Sequence, residues 1–198
     1  QASYPFLPRL EQRLTLPDGQ TGLLVPRYTD TLDRRFSDTL SISSLLDTLL
    51  RLARAIRQLQ SGPGLHGNLR SSNIFFTERG ELIISDLMTS AARKHIRRFL
   101  QMQPSSHRTL PPEVIEGGDS IPWSSAMDCY GIAMLFLAGL LPGEPLPPVG
   151  REGISKQTAI HLKHRLLERL KLEDSNGRFH QRLADRTAAL SAHRMAAR

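Results

Sequence analysis

The chain has 198 residues, of which 39% are apolar, which fits one globular domain or a large piece of a longer protein and excludes a disordered tail. Its formal net charge of +7 comes from 22 arginines and 4 lysines against 19 acidic residues. Even the densest basic group, at Arg93, Lys94, Arg97 and Arg98, lacks the interleaved aromatic side chains of a single-strand-binding surface. We interpret the charge as a solvated surface and expect no nucleic-acid partner, with a basic adaptor for nucleic acid or an anionic surface as the alternative.

The single cysteine and the length of the apolar runs indicate the cellular compartment of the protein. Cys129 stands alone, which excludes an internal disulfide and a cysteine-rich zinc site and is typical of a reducing compartment. We interpret it as a small buried apolar residue. The longest apolar run, 131–141, is shorter than the roughly 20 residues of a membrane span, and residues 1–8 lack a signal-peptide pattern. We expect no membrane span and a cytoplasmic location.

The first predicted element is a β-hairpin. Apolar residues alternate from Leu10 to Leu16, Pro17 to Gly19 supply turn chemistry, and Gly22 to Val25 form a second extended run. Pro26 should end the second strand, because proline has no main-chain donor for a sheet.

A helix and a second hairpin follow. Apolar residues recur at three- and four-residue spacing from Leu45 to Leu59, which predicts a helix capped by Ser43 or Ser44 and stopped at Ser61 to Gly64. Two short apolar runs, 73–76 and 82–84, are joined by a turn sequence and predict the hairpin.

The second half of the chain is mainly helical in this interpretation. Residues 86–113 form a long loop that contains one short basic helix near 91–100. Ser125 to Leu140 is a helix without a polar face, so we expect it to be buried on all sides and packed on the helix before the second hairpin. A proline-rich turn, 142–148, leads to an amphipathic helix at 155–172, and Asn176-Gly177 separates it from a last helix at 179–192.

Four short motifs lie on these elements, and their order along the chain indicates a family relationship. His66-Gly67-Asn68 is followed by Asn73, Ile84-Ser85-Asp86-Leu87-Met88 ends the second hairpin, Leu110-Pro111-Pro112-Glu113 precedes the apolar helix, and Met127-Asp128-Cys129-Tyr130-Gly131 begins it. In this order they resemble the catalytic loop, the Asp-Phe-Gly motif, the Ala-Pro-Glu motif and the following helix of the protein kinase family.

The resemblance covers about residues 10–178 and implies an α+β, protein-kinase-like fold. Residues 1–30 would be a remnant of the upper lobe, with its last two strands and the hinge at 27–30. Residues 31–198 would be the mainly helical lower lobe. The family also needs a glycine-rich loop and a strand lysine to position ATP. Neither is present, since no GxGxxG occurs and the first lysine is Lys94.

The resemblance assigns candidate roles at the centre of the site. Asn68 stands where the family has its catalytic aspartate, and an amide has no basicity near neutral pH. Arg70 stands where many members carry a lysine that contacts the transferring phosphoryl group. Asn73 and Asp86 match the two magnesium ligands, so ATP and Mg are the cofactors to consider, although Met88 replaces the glycine of the Asp-Phe-Gly motif.

The remaining four matches are structural ones. His66 resembles the loop histidine that packs beneath the active site, and Asp128 resembles the aspartate that hydrogen-bonds the loop main chain. Glu113 resembles the glutamate that pairs with a buried arginine near the end of the domain, for which Arg178 is suitably placed.

The damaged machinery favours a pseudokinase, a kinase-like scaffold that binds another protein or regulates a linked domain. The alternative is a weak or atypical ATP-dependent Ser/Thr protein kinase whose upper lobe lies outside this chain, with Asn68 orienting the substrate and Asp86 holding magnesium. Whether the chain is an enzyme stays open from the sequence, and the lost base leans against it.

Overall fold

A computed structural model describes residues 4–37, 40–62, 64–102, 109–142 and 156–173. The chain is of the α+β class and divides into two compact units, Gln1–Ser155 and Lys156–Arg198. The boundary predicted between residues 30 and 31 falls inside the first unit. The division into a remnant upper lobe and a lower lobe therefore stays a prediction.

The first hairpin is present as predicted. β1 (Gln12–Thr15) pairs antiparallel with β2 (Thr21–Leu24), and Arg13 stands opposite Leu23. In the turn, the Asp18 carboxylate accepts a hydrogen bond from the Gln20 N–H at 3.0 Å. The second strand ends two residues before Pro26, which agrees with the expected effect of a missing donor.

The second sheet has three antiparallel strands in the order β3-β4-β5. These are β3 (Asp30–Thr31), β4 (Ile74–Phe76) and β5 (Leu82–Ile84). The predicted β4–β5 hairpin is confirmed, with Phe75 opposite Ile83. β3 was not predicted, because a two-residue strand carries no recognisable periodicity and forms only by pairing with β4.

Two helices precede the central loop, which we define as residues 65–73. These are α1 (Leu32–Ser37) and α2 (Ile42–Gln60). The predicted helix is α2, but its cap is Ser41 rather than Ser43 or Ser44. The Ser41 hydroxyl accepts a hydrogen bond from the Ser44 N–H at 3.2 Å, and Ser41 has the extended main chain that a cap requires. Composition alone could not choose among three closely spaced serines.

The long loop contains more helix than the sequence suggested. The basic helix predicted at 91–100 is two helices, α3 (Ser90–Lys94) and α4 (Ile96–Met102), because His95 leaves the helical conformation with φ −129°. α5 (Pro112–Gly117) and a short 3-10 turn (Gly118–Ser120) follow. Buried side chains from this region form one apolar cluster: Met88, Ile96, Leu100, Leu110, Val114 and Met127.

α6 (Ser125–Leu140) has the bounds that the sequence predicted, and it packs against α2 as expected. A Cβ on Gly139 would come within 3 Å of Leu45 and Phe36, so the helices meet closely there. The expectation that α6 is buried on all sides is wrong, because Ala126, Cys129 and Ala133 are exposed. These side chains are small, so a uniformly apolar sequence can still present one face to water.

Unit 2 is described through α7 (Lys156–Glu173), which matches the predicted amphipathic helix within a residue at each end. The predicted last helix at 179–192 and most of the proline-rich turn lie outside the described residues. In the described part of the chain, no helix is both long and apolar enough to cross a membrane.

Candidate functional site

The candidate site is built on the central loop, residues 65–73, which runs from the end of α2 to β4. Its main chain is held by Asp128, which projects from the first turn of α6 and is 1% exposed. One carboxylate oxygen accepts from the His66 N–H at 3.1 Å, and the other accepts from the Gly67 N–H at 2.8 Å. The Gln60 amide donates to the same carboxylate at 3.2 Å. Asp128 is the residue for which the kinase resemblance implies a contact with the loop main chain.

Gly67 fits a place that other residues would fill badly. Its φ is +72°, which disfavours side chains, and a Cβ there would lie 3.1 Å from the Trp123 ring and 3.3 Å from the Met88 Cβ. Trp123 therefore covers the loop directly. Sequence reasoning missed this tryptophan, and no pattern around it marked it as a contact of residues 65–73.

His66 is completely buried beneath the loop. Its Nδ1 accepts from the Asn68 N–H at 3.1 Å, so Nε2 carries the proton and donates to the Ser85 carbonyl at 3.0 Å. Burial lowers the pKa of His66 from 6.5 to about 4, against the opposing effect of the nearby Asp128 carboxylate. His66 is therefore neutral at pH 7, and its contacts are those of a packing residue.

Asn68, Arg70 and Asn73 form one connected network. The Asn68 side-chain amide donates to the Asp86 carbonyl at 3.1 Å, and the Asn73 amide donates to the Asn68 carbonyl at 3.0 Å. The Arg70 guanidinium donates to the Asn73 side-chain oxygen at 3.0 Å. Asn68 is 3% exposed and Asn73 is 2% exposed. The polar groups that the resemblance assigns to catalysis and metal binding are thus engaged with one another.

Asp86 differs from these residues because it is exposed. Its φ of +57° makes it the one non-glycine residue with positive φ in the described part of the chain. Its neighbours hold it there: the Ser85 N–H donates to the Asn73 carbonyl at 2.9 Å, and the Met88 N–H donates to the His66 carbonyl at 2.8 Å. Such strained conformations persist where the surroundings enforce them, often at functional sites.

The two expected magnesium ligands do not fit a metal equally well. The exposed carboxylate of Asp86 suits a hard cation. The side-chain oxygen of Asn73 already accepts from the Arg70 guanidinium, whose positive charge would repel a metal ion. Within the described ranges, no group of three or more His, Cys, Asp or Glu side chains could hold a metal. The Asn73 side chain would have to leave the Arg70 guanidinium to reach a metal, and its assignment as a magnesium ligand stays a prediction.

The interpretation of Arg93, an arginine of helix α3, was wrong. Arg93, assigned to a solvated surface, donates from Nη2 to the Leu65 carbonyl at 2.6 Å, and its guanidinium lies 5.6 Å from the centre of the Trp123 ring. This contact joins α3 to the start of the central loop. Position 93 carries no sequence signal that separates it from the neighbouring exposed cations.

The expected ion pair between Glu113 and Arg178 stays a prediction. Glu113 lies in the first turn of α5 and is exposed, whereas Arg178 lies outside the described residues. Partial burial raises the pKa of Tyr130, and the negative charge of Glu113 adds to this increase.

A cavity of about 580 Å³ lies away from the central loop, between the segment 27–30 and the β4–β5 turn at 76–81. At its wall, Arg35 binds the Asp30 carboxylate at 2.6 Å, and its guanidinium stacks 3.4 Å from the centre of the Phe76 ring. The lining carries three arginines and three acidic residues, so its charge is balanced. Residues 27–30 were interpreted as a hinge, but the cavity beside them includes no residue of the central loop.

No protein-family model matches the chain.

Proposed function

We propose that the protein is a catalytically impaired protein-kinase-like domain, a pseudokinase, which acts as a binding or regulatory scaffold. The order and spacing of the four motifs support a kinase-like site. The observation that carries the proposal is the position of Asn68, which is buried and donates its side-chain N–H to the Asp86 carbonyl. A residue held in this way neither reaches a substrate hydroxyl nor accepts its proton.

The chemistry of the surrounding residues supports the same conclusion. A general base contributes about 10² to 10⁴ to the rate, and an amide supplies none of this. Phosphoryl transfer depends on positioned charges around the phosphates. Here the Arg70 guanidinium is directed to Asn73, and no glycine-rich loop or strand lysine precedes the central loop in the sequence.

A domain without phosphate transfer can still function by binding. The partner we propose is another protein or a linked domain, in the cytoplasm, and neither a nucleic acid nor a membrane lipid is needed for this role. Asp128, His66 and the apolar cluster hold the scaffold together, and ATP and Mg stay the cofactors to be tested.

A weak or atypical ATP-dependent Ser/Thr protein kinase is the second candidate. Asp86 favours it, because its carboxylate is exposed and its main chain is held in an unusual conformation. If the missing upper-lobe elements come from outside this chain, Asp86 would supply the metal carboxylate. Arg70 and Asn73 would first have to separate.

Phosphate transfer distinguishes the two candidates. The purified chain, incubated with labelled ATP, Mg²⁺ and a general acceptor protein, should transfer no more phosphate than the Asp86→Ala variant. This variant removes an exposed side chain and should fold normally, so it reports contaminating kinases. Clear labelling by the wild type and none by Asp86→Ala would establish the enzyme and end the pseudokinase proposal.

Restoring the family's aspartate gives a second test. Asn68→Asp should not start phosphate transfer, and it should destabilise the fold by about 2 to 4 kcal/mol at pH 7. The physical reason is that a buried carboxylate oxygen would face the Asp86 carbonyl oxygen, with no proton between them. Urea unfolding measures the loss. If Asn68→Asp were both stable and active, the hydrogen bond from Asn68 to the Asp86 carbonyl would not hold the side chain away from a substrate.

A further inference from the structure

The β1–β2 hairpin exposes an unusual amount of apolar surface. Six large apolar side chains between residues 10 and 25 are at least 38% exposed: Leu10, Leu14, Leu16, Leu23, Leu24 and Val25. Among the described residues the hairpin forms a sheet of two strands only, so each strand has an open edge. A two-stranded sheet is marginal in water, and an exposed apolar edge is a template for pairing. This surface is therefore suited to pairing with another strand.

The two edges differ in chemistry. β1 carries Arg13, with Glu11 just before it, and charged residues on an edge discourage pairing. Residues 21–25, Thr-Gly-Leu-Leu-Val, carry no charge and no proline. Leu23 among them is 61% exposed, the largest value among the large apolar side chains of the hairpin. The β2 edge is therefore the one suited to binding.

The hydrogen bonds of the hairpin show which main-chain groups of β2 are available. The Leu16 N–H donates to the Gln20 carbonyl, and Leu24 accepts from the Glu11 N–H. Since inward and outward residues alternate along an antiparallel strand, the N–H and C=O groups of Thr21, Leu23 and Val25 point away from β1. Three consecutive outward residues form a complete edge.

We propose that this edge pairs antiparallel with the same edge of a second copy of the chain, with the two-fold axis at Leu23. The segment is self-complementary in this register. Leu23 faces Leu23 of the second copy, and Thr21 faces Val25. Leu24 faces Gly22 on the side of the sheet where Leu14 and Leu16 crowd that glycine. The product is one four-stranded sheet with about six new main-chain hydrogen bonds and apolar contacts on both faces.

The extent of the surface sets the strength of the dimer. The pairing segment is five residues long on each copy, Thr21 to Val25, far fewer than the roughly 20 to 30 residues a side of a standard stable interface. The dimer should therefore be weak and concentration-dependent, with a dissociation constant of about 10 µM or above. This association is independent of the pseudokinase proposal, and either can fail alone.

Sedimentation velocity of the 198-residue chain from about 5 to 300 µM tests the proposal. Leu23→Lys and Leu23→Glu should each weaken association at least about tenfold, because like charges would meet at the two-fold axis. An equimolar mixture of the two variants should associate again, since opposite charges then meet. Thr21→Pro, which removes an outward N–H without adding charge, should also weaken association.

Leu50→Lys is the matched control. Leu50 is 46% exposed on α2, so the change removes a similar apolar side chain elsewhere and should leave association unaltered. Circular dichroism establishes that each variant is folded. A wild-type chain that stays monomeric at about 300 µM would overturn the proposal, and so would equal effects of Leu50→Lys and Leu23→Lys. If the mixed variants did not associate, the proposed register, with Leu23 facing Leu23 of the second copy, would be wrong.

Discussion

Asp128→Asn tests whether a buried carboxylate holds the central loop. The wild-type carboxylate accepts three hydrogen bonds, from the main chain of His66 and Gly67 and from the side chain of Gln60. Asparagine has nearly the same shape but only one accepting oxygen. Its NH₂ group must then face at least one donor, either the Gly67 N–H or the pair from His66 and Gln60.

The expected loss follows from the number of contacts broken. A hydrogen bond to a charged group contributes about 1.5 to 3 kcal/mol, and a buried donor left without a partner costs about 1 to 3 kcal/mol. Because these overlap, we expect Asp128→Asn to lower the free energy of unfolding by about 3 kcal/mol. For a chain of this size, that corresponds to a fall in Tm of roughly 6 to 12 °C.

Urea unfolding and hydrogen exchange measure the effect. The amide hydrogens of His66 and Gly67 should exchange faster in Asp128→Asn than in the wild type. Asp119→Asn is the control, because exposed Asp119 accepts one main-chain hydrogen bond from Arg97 that asparagine can keep. Its unfolding free energy should change by less than about 0.5 kcal/mol. If Asp128→Asn were as harmless as this control, the carboxylate would not hold the loop.

Two further predictions concern the same loop. Burial lowers the pKa of His66 to about 4 in the folded chain. As the pH falls below 6.5, the unfolded chain binds a proton on this histidine before the folded chain does. The stabilisation by neutral His66 is therefore complete above pH 6.5 and is lost as the pH falls toward 4. Between these pH values the wild type should lose roughly 3 kcal/mol more than His66→Gln in urea unfolding, and equal losses would contradict a buried neutral histidine. Gly67→Ala should destabilise by about 1 to 3 kcal/mol, since positive φ costs about 1 to 2 kcal/mol and the new methyl group would press on Trp123. Gly80→Ala, with φ +74° and open space around it, isolates the φ cost, so an equal effect at both glycines would mean that the Trp123 contact is unimportant.

Features with a short-range cause were predictable from the sequence. The helix at 125–140, the helix that ends at Gln60 and both predicted hairpins follow from apolar spacing and turn residues, which act over a few positions. The loop 65–73 was singled out by the resemblance of its residues to the catalytic loop of the protein kinase family. What could not be predicted locally was β3, since Asp30 and Thr31 are extended only because β4 lies beside them.

The burial and the hydrogen-bond partners of individual side chains depended on contacts between segments that are distant in the sequence. The apolar helix α6 packs by one face, so Cys129 is exposed although its residue type is usually buried. Arg93 belongs to a basic stretch that looks solvated, yet it reaches Leu65, 28 residues earlier in the chain. Asn68 was identified from its position as a lost base, but only the fold directs its amide to the Asp86 carbonyl, 18 residues away. Sequence patterns report which faces are apolar, whereas burial and hydrogen bonding depend on which segments pack together.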